Sequence, residues 1–379
     1  MHRALFALPV LAALTACTGA GDKDGRPSKD SVVTEGPLTT LRGSILSNQS
    51  GRVLVPIELT GDEVSFMVTA KTDDTYISLE AILDENGDEV VNWKDWLNSK
   101  STQSLTSAFY IYGYDSVVNW PVRSEDRSLS AGSWTARFTT VDEDYRYVED
   151  VFVDYTVQTK TDDDLESGVV KVRLVWAEGL DTRNDLQEAV AGALVRWSEI
   201  WAAAGLTVEF TEVSSDLDPE LNVDSVAPFP NDAVDYGGTD DDVTLVIGET
   251  INDVRGLYGQ SGGLPGTLVS TANSAVYVSW LTNAGRDGEF EEFEVLLLGE
   301  TMAHEVGHYL GLFHPVEASY DYYDALDDTV ECTSYSKCES QLGENLMFPY
   351  PLCSFTYCEP QGNLTVDQRA VMNLYTGAL

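Results

Sequence analysis

The amino-acid sequence predicts a multi-domain protein, with an N-terminal all-β sandwich followed by an α/β (α+β) domain that contains a mixed sheet. Three observations lead to this prediction. Residues 39–160 hold short runs rich in β-branched and aromatic side chains, and several of these runs alternate in period two. Residues 161–168 are acidic and rich in turn formers, which indicates a linker. From residue 169 to residue 379, strand patterns alternate with helical patterns, as they do in α/β proteins.

The runs of the first domain predict strands and carry no obvious chemistry. They read VLVPIEL, EVSFMVTA, YISLEAIL, SWTARFTT and DVFVDYTVQT, and DENGD at 84–88 predicts a hairpin turn after the third run. Residues 39–160 contain no histidine and no cysteine, so we interpret them as an accessory domain. Four tryptophans could form a sugar-binding platform. Aromatic residues in strands pack in the core more often than they bind sugars, so we expect these four to be core residues. These are Trp93, Trp96, Trp120 and Trp134.

The second domain begins with the near-continuous apolar run VVKVRLVWA, which predicts a buried strand. A helix is predicted over 186–204, because Leu186, Val190, Leu194, Trp197 and Trp201 recur at helical spacing. The runs LTVEFTEV, DDVTLVIGE and SAVYVSW predict further strands. The run over 291–310 is apolar, free of proline and opened by acids, so it predicts a long second helix.

Composition excludes some classes of protein. The chain has 379 residues, with 63 acids against 22 bases and a formal charge of −41. Nucleic-acid binding is excluded as a function, because phosphate neutralisation needs clustered lysine and arginine. A hydrophobic share of 43% excludes general disorder.

The N-terminus predicts export. Residues 4–16 are apolar, follow Arg3, and are too short to span a bilayer as a mature helix, so 1–16 is predicted as a signal peptide. The ending LTAC resembles a bacterial lipobox, which implies lipidation of Cys17, and the composition of 17–38 indicates a flexible tether. The expectation is an exported bacterial lipoprotein at the outer membrane or cell surface, attached to the membrane only through a lipid anchor. A secreted protein is the alternative.

Four further cysteines lie close together near the C-terminus: Cys332, Cys338, Cys353 and Cys358. An even set in an exported protein predicts two disulfides, and four cysteines allow three pairings. A four-thiolate zinc site is the alternative, but it usually needs closer CxxC-type pairs than these.

The chemistry concentrates in His304, Glu305, His308, Gly311 and His314. Two histidines four residues apart on a helix project from the same face and can bind one cation. Glu305 can address a metal-bound water without being a ligand. Gly311 can end the helix in a left-handed conformation, so that the chain returns with His314 as a third ligand. Three nitrogens and a water form the open tetrahedral site of a catalytic zinc ion (Zn2+), whereas a structural zinc site normally has a fourth protein ligand.

The segment HEVGHYLGLFH has the form H-E-x-x-H-x-x-G-x-x-H, and through it the chain resembles the metzincin zinc metallopeptidases. Later segments resemble the pappalysin-like branch, which includes bacterial cytophagalysins. They are GLFH at 311–314, the acidic stretch 324–329, NLM at 345–347 and LTVDQR at 364–369. Residues 129–140 resemble the close of the pre-peptidase-type β-sandwiches found beside secreted peptidases.

The resemblance implies further site residues. Met347 is the candidate for the Met-turn beneath the metal. The family places a tyrosine two residues later, near the metal or the developing oxyanion; Pro349 holds that position here, and Tyr350 is the candidate for the role. The branch often binds calcium (Ca2+) near the Met-turn, and four aspartates here could supply oxygen ligands. The alternative is that they form a solvated acidic loop with no bound ion. The four aspartates are Asp321, Asp324, Asp327 and Asp328.

Together these patterns predict a secreted or surface-anchored zinc endopeptidase that acts on a protein or peptide substrate, with Glu305 as general base. The resemblance implies that residues 256–268 include an edge strand that pairs with extended substrate. An ordinary loop is the alternative, because the segment is rich in glycine. One alternative is a surface binding or adhesion lipoprotein whose sandwich is the working part and whose zinc site is vestigial. Another is a zinc hydrolase that acts on a non-peptide amide.

Overall fold

The computed structural model describes residues 31–99, 103–111, 113–126, 128–162, 164–223, 242–269, 271, 274–285 and 287–379. The predicted signal peptide and Cys17, the predicted site of lipidation, lie outside the described residues. In the described part of the chain, no helix is both long and apolar enough to cross a membrane.

The first part of the chain forms two antiparallel sheets. The strands are β1 (Ser31–Glu35), β2 (Leu38–Leu46), β3 (Arg52–Leu59), β4 (Ser65–Lys71), β5 (Tyr76–Leu83), β6 (Glu89–Asn92), β7 (Asp115–Trp120), β8 (Gly132–Val141) and β9 (Phe152–Lys160). One sheet has the order β1-β2-β9-β4-β7, and the other has the order β3-β8-β5-β6. Phe66 of β4 and Trp134 of β8 lie 6.2 Å apart between ring centroids, so the apolar faces of the two sheets meet. The five predicted runs coincide with β3, β4, β5, β8 and β9.

The third sheet is mixed, as predicted. Its strands are β10 (Gly168–Trp176), β11 (Leu206–Ser214), β13 (Asp242–Gly248), β15 (Gly259–Ser261) and β16 (Ala275–Ser279). The order is β11-β10-β13-β16-β15, and only β15 runs antiparallel to its neighbour. A short parallel pair joins β12 (Glu220–Leu221) to β14 (Thr250–Ile251).

Six α-helices occur in the described part of the chain: α1 (Trp93–Asn98), α2 (Asn184–Ala202), α3 (Trp280–Asn283), α4 (Glu292–Tyr309), α5 (Tyr335–Leu342) and α6 (Val366–Leu374). Short 3-10 turns lie at Ser107–Phe109 and Leu180–Thr182. In α2, Leu186, Val190, Trp197 and Trp201 are buried as the helical spacing predicts, and Leu194 is partly buried. The acids at the start of α4 form a capping box between Glu291 and Glu294, which satisfies backbone donors at the helix N-terminus.

Two expectations for the first part differ from the structure. β1 lies within the segment 17–38 that the sequence assigned to the tether, and it forms a strand by pairing with β2, which begins at Leu38. Trp120 and Trp134 are buried, but Trp93 is 42% exposed on α1, a helix that the sequence did not predict. Trp96 is partly buried beside the core.

The two parts of the chain share one buried apolar cluster. Polar contacts cross between them as well: the buried Lys160 at the end of β9 donates from Nζ to the carbonyls of Asn373 and Ala378. Asn119 of β7 accepts at Oδ1 from the backbone of Thr376 at 2.9 Å. The β-sheets of the first part are therefore packed directly against the C-terminal segment.

Candidate metal centre

Helix α4 and the turn after it bring three histidines together. His304 and His308 lie one helical turn apart on α4. The chain leaves the helix through Gly311, whose φ of +105° is a conformation that favours glycine. Leu312 then donates its N–H to the Gly307 carbonyl at 3.0 Å, and this closes the turn that returns His314 to the helix.

The three Nε2 atoms have the spacing of a zinc ligand set. His314 Nε2 lies 3.3 Å from His304 Nε2 and 3.1 Å from His308 Nε2. Ligands of a tetrahedral zinc ion with Zn–N bonds near 2.1 Å lie about 3.4 Å apart. Among the described residues, this is the one group of three or more His, Cys, Asp or Glu whose ligand atoms all lie within 4.8 Å of one another.

The other ring nitrogen of each histidine is bound to an oxygen acceptor. His304 Nδ1 donates to the Leu346 carbonyl at 2.7 Å, and His308 Nδ1 donates to the Leu312 carbonyl at 2.6 Å. Because a carbonyl oxygen only accepts, these Nδ1 atoms carry the proton and the Nε2 atoms present lone pairs. His314 Nδ1 faces the Glu317 carboxylate at 3.1 Å. Three lone pairs that converge without a proton between them form a donor set that fits a cation such as zinc.

The environment keeps His304 and His308 neutral. Burial and the nearby His314 lower the pKa of His304 to about 3. Burial, with His314 and His304 close by, lowers the pKa of His308 well below its ordinary value. A neutral imidazole is the form that binds a metal.

Glu305 lies beside these histidines, under β15. A Cβ added at Gly259 would lie 2.4 Å from Glu305 Cγ and 2.9 Å from Oε1, so only glycine leaves room for this side chain. Burial raises the pKa of Glu305 to about 8, against a hydrogen bond from the Ser261 backbone. The carboxyl group is therefore held between α4 and β15, close to the three histidines but not part of their converging set of nitrogens.

Met347 lies beneath α4, where the resemblance places the Met-turn. The side chain is fully buried, and a Cβ added at Gly307 would lie 2.9 Å from Met347 Sδ. Asn345 accepts the Met347 N–H at 2.9 Å and donates to Gln368 at 2.8 Å. The turn that holds Met347 is thus fixed by a buried amide pair and also supplies, through Leu346, the carbonyl that orients His304.

Tyr350 lines the same cavity, but its hydroxyl has another partner. The Tyr350 and Tyr320 hydroxyls lie 2.7 Å apart. The Tyr350 ring stacks on that of Tyr335, with 4° between the planes and 6.2 Å between centroids. In this conformation Tyr350 is engaged by two other tyrosines, and the pKa of its hydroxyl is raised by burial and by Tyr320.

A cavity of about 370 Å³ opens over the histidines. One wall is the segment 256–261, which includes β15, and the other walls come from α4 and from residues 346–351. β15 is the terminal strand of its sheet among the described strands, with β16 as its neighbour. The strand predicted between residues 256 and 268 therefore lies at the sheet edge and beside the histidines.

The C-terminal cysteines form two disulfides, Cys332–Cys338 and Cys353–Cys358. This confirms the prediction of two bridges and gives the pairing that the sequence left open. The first bridge is buried with Val316, Leu342 and Phe348 in a second apolar cluster.

Of the four aspartates named as candidate calcium ligands, one is buried and three are exposed. Asp324 is 6% exposed, whereas Asp321, Asp327 and Asp328 are exposed. Asp324 Oδ1 accepts from Thr329 Oγ1 at 2.5 Å, and its buried Oδ2 has no hydrogen-bond partner among the described residues. Burial raises the pKa of Asp324 to about 7, and Asp328 and Asp367 add to the shift.

Sequence reasoning missed several groups that shape this centre. Glu317 stands three residues after His314, and that spacing was the available signal. The carbonyls of Leu346 and Leu312 and the close approach of Gly259 left no signal, because a residue pattern does not show which backbone groups meet in space.

Comparison with known proteins does not assign the chain to a family. No family model matches it, and no curated protein does. Among solved structures, metalloproteinase-II from Bacteroides fragilis is similar at 11% identity and a TM-score of 0.27, over 80% of this chain and 86% of that one. Family two carbohydrate esterases also match: the Clostridium thermocellum enzyme at 8% identity and TM-score 0.15, over 91% and 94% of the two chains, and the Cellvibrio japonicus enzyme at 9% and 0.12, over 89% and 96%. At these values the matches carry no argument about fold or activity.

Proposed function

We propose that this protein is a zinc-dependent endopeptidase of the metzincin type, in its pappalysin-like branch. One observation supports the proposal above the others: three Nε2 lone pairs converge beside the half-buried Glu305 in a cavity walled by a sheet-edge strand. A zinc ion held there by His304, His308 and His314 would lower the pKa of its water and polarise the scissile carbonyl.

Glu305 is the general base of the proposed reaction. It accepts the proton of the attacking water and passes it to the leaving amine. Gly259 leaves room for the carboxylate, and the Ser261 backbone holds it by a hydrogen bond. Met347 forms an apolar floor under the helix, and Tyr350 is the candidate oxyanion donor if its hydroxyl exchanges Tyr320 for substrate.

The substrate of the proposed enzyme is an extended peptide. β15 pairs on one side with β16, and its residues line the cavity. A peptide strand added to the other side would satisfy the backbone groups of β15 and lie across the histidines. This arrangement favours an endopeptidase, since neither end of the peptide needs a dedicated site.

The test combines metal analysis with cleavage of casein. The wild type is expected to bind one zinc per chain and to cleave casein, and a chelator is expected to abolish cleavage until zinc is restored. Glu305→Gln is expected to keep zinc and lose about 10²–10⁴-fold in kcat, the range of a general base. Glu188→Gln, on the exposed face of α2, is the matched control that keeps wild-type activity. Chelator-resistant cleavage, or full activity of the Glu305 variant, would overturn the proposal.

A calcium ion is the second cofactor of the proposal. The buried and unpartnered Oδ2 of Asp324, with Asp328 and Asp367 close enough to raise its pKa, supports it. Oxygen atoms of carboxylates are the ligands that calcium prefers.

We further propose that the mature protein is an exported bacterial lipoprotein, anchored through Cys17 at the outer membrane or cell surface. The two disulfides support an oxidising compartment. Expressed in a bacterial host, the wild type is expected to partition into detergent and Cys17→Ser into the aqueous phase. Equal partitioning of the two proteins would favour plain secretion.

A further inference from the structure

We propose that the N-terminal β-sheets hold the wall of the active-site cleft in place, and that Ser107 is the positioning residue through which they do so. The segment that it holds is the cleft loop, defined as residues 262–268, which directly follows β15. This inference rests on the proposed peptidase function. It gives the first part of the chain a role in substrate binding at the same site.

Ser107 binds the cleft loop with both its backbone and its side chain. Its N–H and its Oγ–H donate to the Leu264 carbonyl at 2.8 and 2.9 Å. The Leu264 N–H lies 3.3 Å from the same Oγ, which accepts from it. Leu264 itself lines the cavity over the histidines. One residue of the first part thus satisfies both backbone groups of a cleft residue.

A second contact from the first part reaches the other end of the loop. Thr69 Oγ1 of β4 lies 2.6 Å from Thr267 Oγ1, and both side chains are buried, at 2% and 1% exposure. A buried hydrogen bond between two hydroxyls fixes position strongly, because a lost partner would leave a desolvated polar group. Two separate elements of the first part therefore hold the loop at two points.

On its opposite side the cleft loop is bound to the active-site helix. The Gly266 N–H donates to the Tyr309 carbonyl at 2.9 Å, and the Tyr309 hydroxyl donates to the Thr267 carbonyl. A Cβ at Gly266 would lie 2.0 Å from the Tyr309 ring, so backbone and ring are in direct contact. Tyr309 follows His308 in sequence. The loop is clamped between the first part of the chain and the helix that carries the metal ligands.

The turn that presents Ser107 is itself firmly held. Thr106 caps it, since its Oγ1 accepts the Ala108 N–H at 3.2 Å. Ser116 Oγ of β7 donates to the Ala108 carbonyl at 2.9 Å. Ala108 and Phe109 are buried in the main apolar cluster. Ser107 is therefore a fixed point, and the position of Leu264 and of β15 before it follows from the β-sheets of the first part.

The consequence for the proposed reaction concerns binding rather than chemistry. Loss of the Ser107 hydroxyl frees the Leu264 N–H and weakens the hold on its carbonyl, while Glu305 and the three histidines keep their own contacts. The edge that pairs with substrate then becomes more mobile. Substrate affinity falls, and the rate of the chemical step in the bound complex changes little.

The test compares Ser107→Ala with two matched variants in the full chain. Ser107→Thr keeps the hydroxyl. Ser47→Ala removes an equivalent pair of hydrogen bonds within the first part, from Ser47 Oγ to the Val148 carbonyl at 2.9 Å and from the Val151 N–H to Ser47 Oγ at 3.0 Å, without touching the cleft loop or the turn that presents Ser107. Ser107→Ala is expected to raise KM for a peptide of eight residues about 3–10-fold, the loss of about one hydrogen bond, with kcat within twofold and zinc content unchanged. Ser107→Thr restores KM, and Ser47→Ala keeps the wild-type value.

Hydrogen–deuterium exchange tests the same contact without activity. The amides of 259–264 are expected to exchange faster in Ser107→Ala than in the wild type and in Ser47→Ala. Thr69→Val removes the second contact independently and is expected to speed exchange in the cleft loop. Wild-type exchange and KM in both Ser107→Ala and Thr69→Val would overturn the inference and leave the peptidase proposal intact. A protein without peptidase activity would overturn the proposed function, while the exchange data would still decide the role of Ser107.

Discussion

The Nδ1 atom of His314 lies 3.1 Å from a carboxylate oxygen of Glu317, whereas His304 and His308 direct the same atom to backbone carbonyls. A carbonyl on a folded backbone is a fixed acceptor, but a glutamate side chain on a turn can be removed without disturbing the backbone. Glu317 is therefore the part of the orienting shell that mutagenesis can test on its own.

Glu317→Ala is expected to weaken zinc binding about 10–100-fold, the usual effect of losing the partner of a metal-binding histidine. Removal of the carboxylate frees the His314 ring to rotate and lowers the basicity of its Nε2. Competition with a chromophoric chelator measures the affinity, and Glu188→Ala on the surface of α2 is the control. Equal zinc affinities for the two variants would show that Glu317 does not orient His314.

Gly259→Ala is expected to lower kcat about 10²-fold while zinc stays bound. The new Cβ would lie 2.4 Å from Glu305 Cγ, so the carboxylate must move, and a displacement of about 1 Å has an effect of this size on a positioned catalytic group. Zinc content and kcat are measured on the same sample. Gly168→Ala in β10 is the control, since the nearest atom to its Cβ would be a Leu206 methyl carbon at 3.2 Å, and the Ala378 backbone would be in ordinary van der Waals contact at 3.6 Å. Full activity in Gly259→Ala would argue against Glu305 as the base.

The grouping of the three histidines could be predicted from sequence because its geometry is local. A spacing of four residues on a helix fixes the relation between His304 and His308, and Gly311 permits the turn that returns His314. Strand positions were predictable for the same reason, since alternation along β3 is visible within eight residues.

What the sequence could not predict depends on distant pairs. Ser107 and Leu264 are 157 positions apart, and nothing in either segment marks the other as a partner. The same holds for Gly259 and Glu305, whose contact exists only because β15 and α4 meet at the cleft. The sequence assigned the residues of β1 to the tether, because these residues form a strand through their pairing with β2, and the composition of the segment does not show that pairing. In each case the sequence does not show which distant segments of the chain lie against one another in the folded protein.

Asp324 is expected to make the protein less stable as pH rises from about 4 to 7. Its pKa in the folded state is about 7, above the ordinary aspartate value, so the folded chain binds the proton more tightly than the unfolded chain. The free energy of unfolding therefore falls as pH rises through this window. The expected decrease is roughly a few kcal/mol, which is the size that a pKa shift of this magnitude produces. Asp324→Asn mimics the protonated acid and is expected to remove this contribution, so that the variant is the more stable protein at pH 7.5. Urea unfolding of the wild type and of Asp324→Asn at pH 5 and pH 7.5 measures the pH dependence of stability and the effect of the substitution.

Calcium changes this expectation in a specific way. If calcium binds Asp324, millimolar Ca2+ raises the melting temperature of the wild type at pH 7.5 and leaves that of Asp324→Asn unchanged. Mg2+ serves as the control cation, because it demands a tighter octahedral site. Equal responses of the two proteins to calcium would remove Asp324 from any calcium site.

The two disulfides are expected to differ in their effect on stability, although they close loops of similar length. Their sequence separations are 6 and 5, and loop closure alone gives about 2 kcal/mol for each. Cys332 and Cys338 are buried at 2% and 0% exposure beside Phe348, whereas Cys353 is exposed. Replacing the first pair by alanine also leaves a cavity next to the Met-turn, which adds about 1–2 kcal/mol. Urea unfolding of the two double variants measures the difference, and equal losses of stability would show that the buried pair contributes no packing of its own.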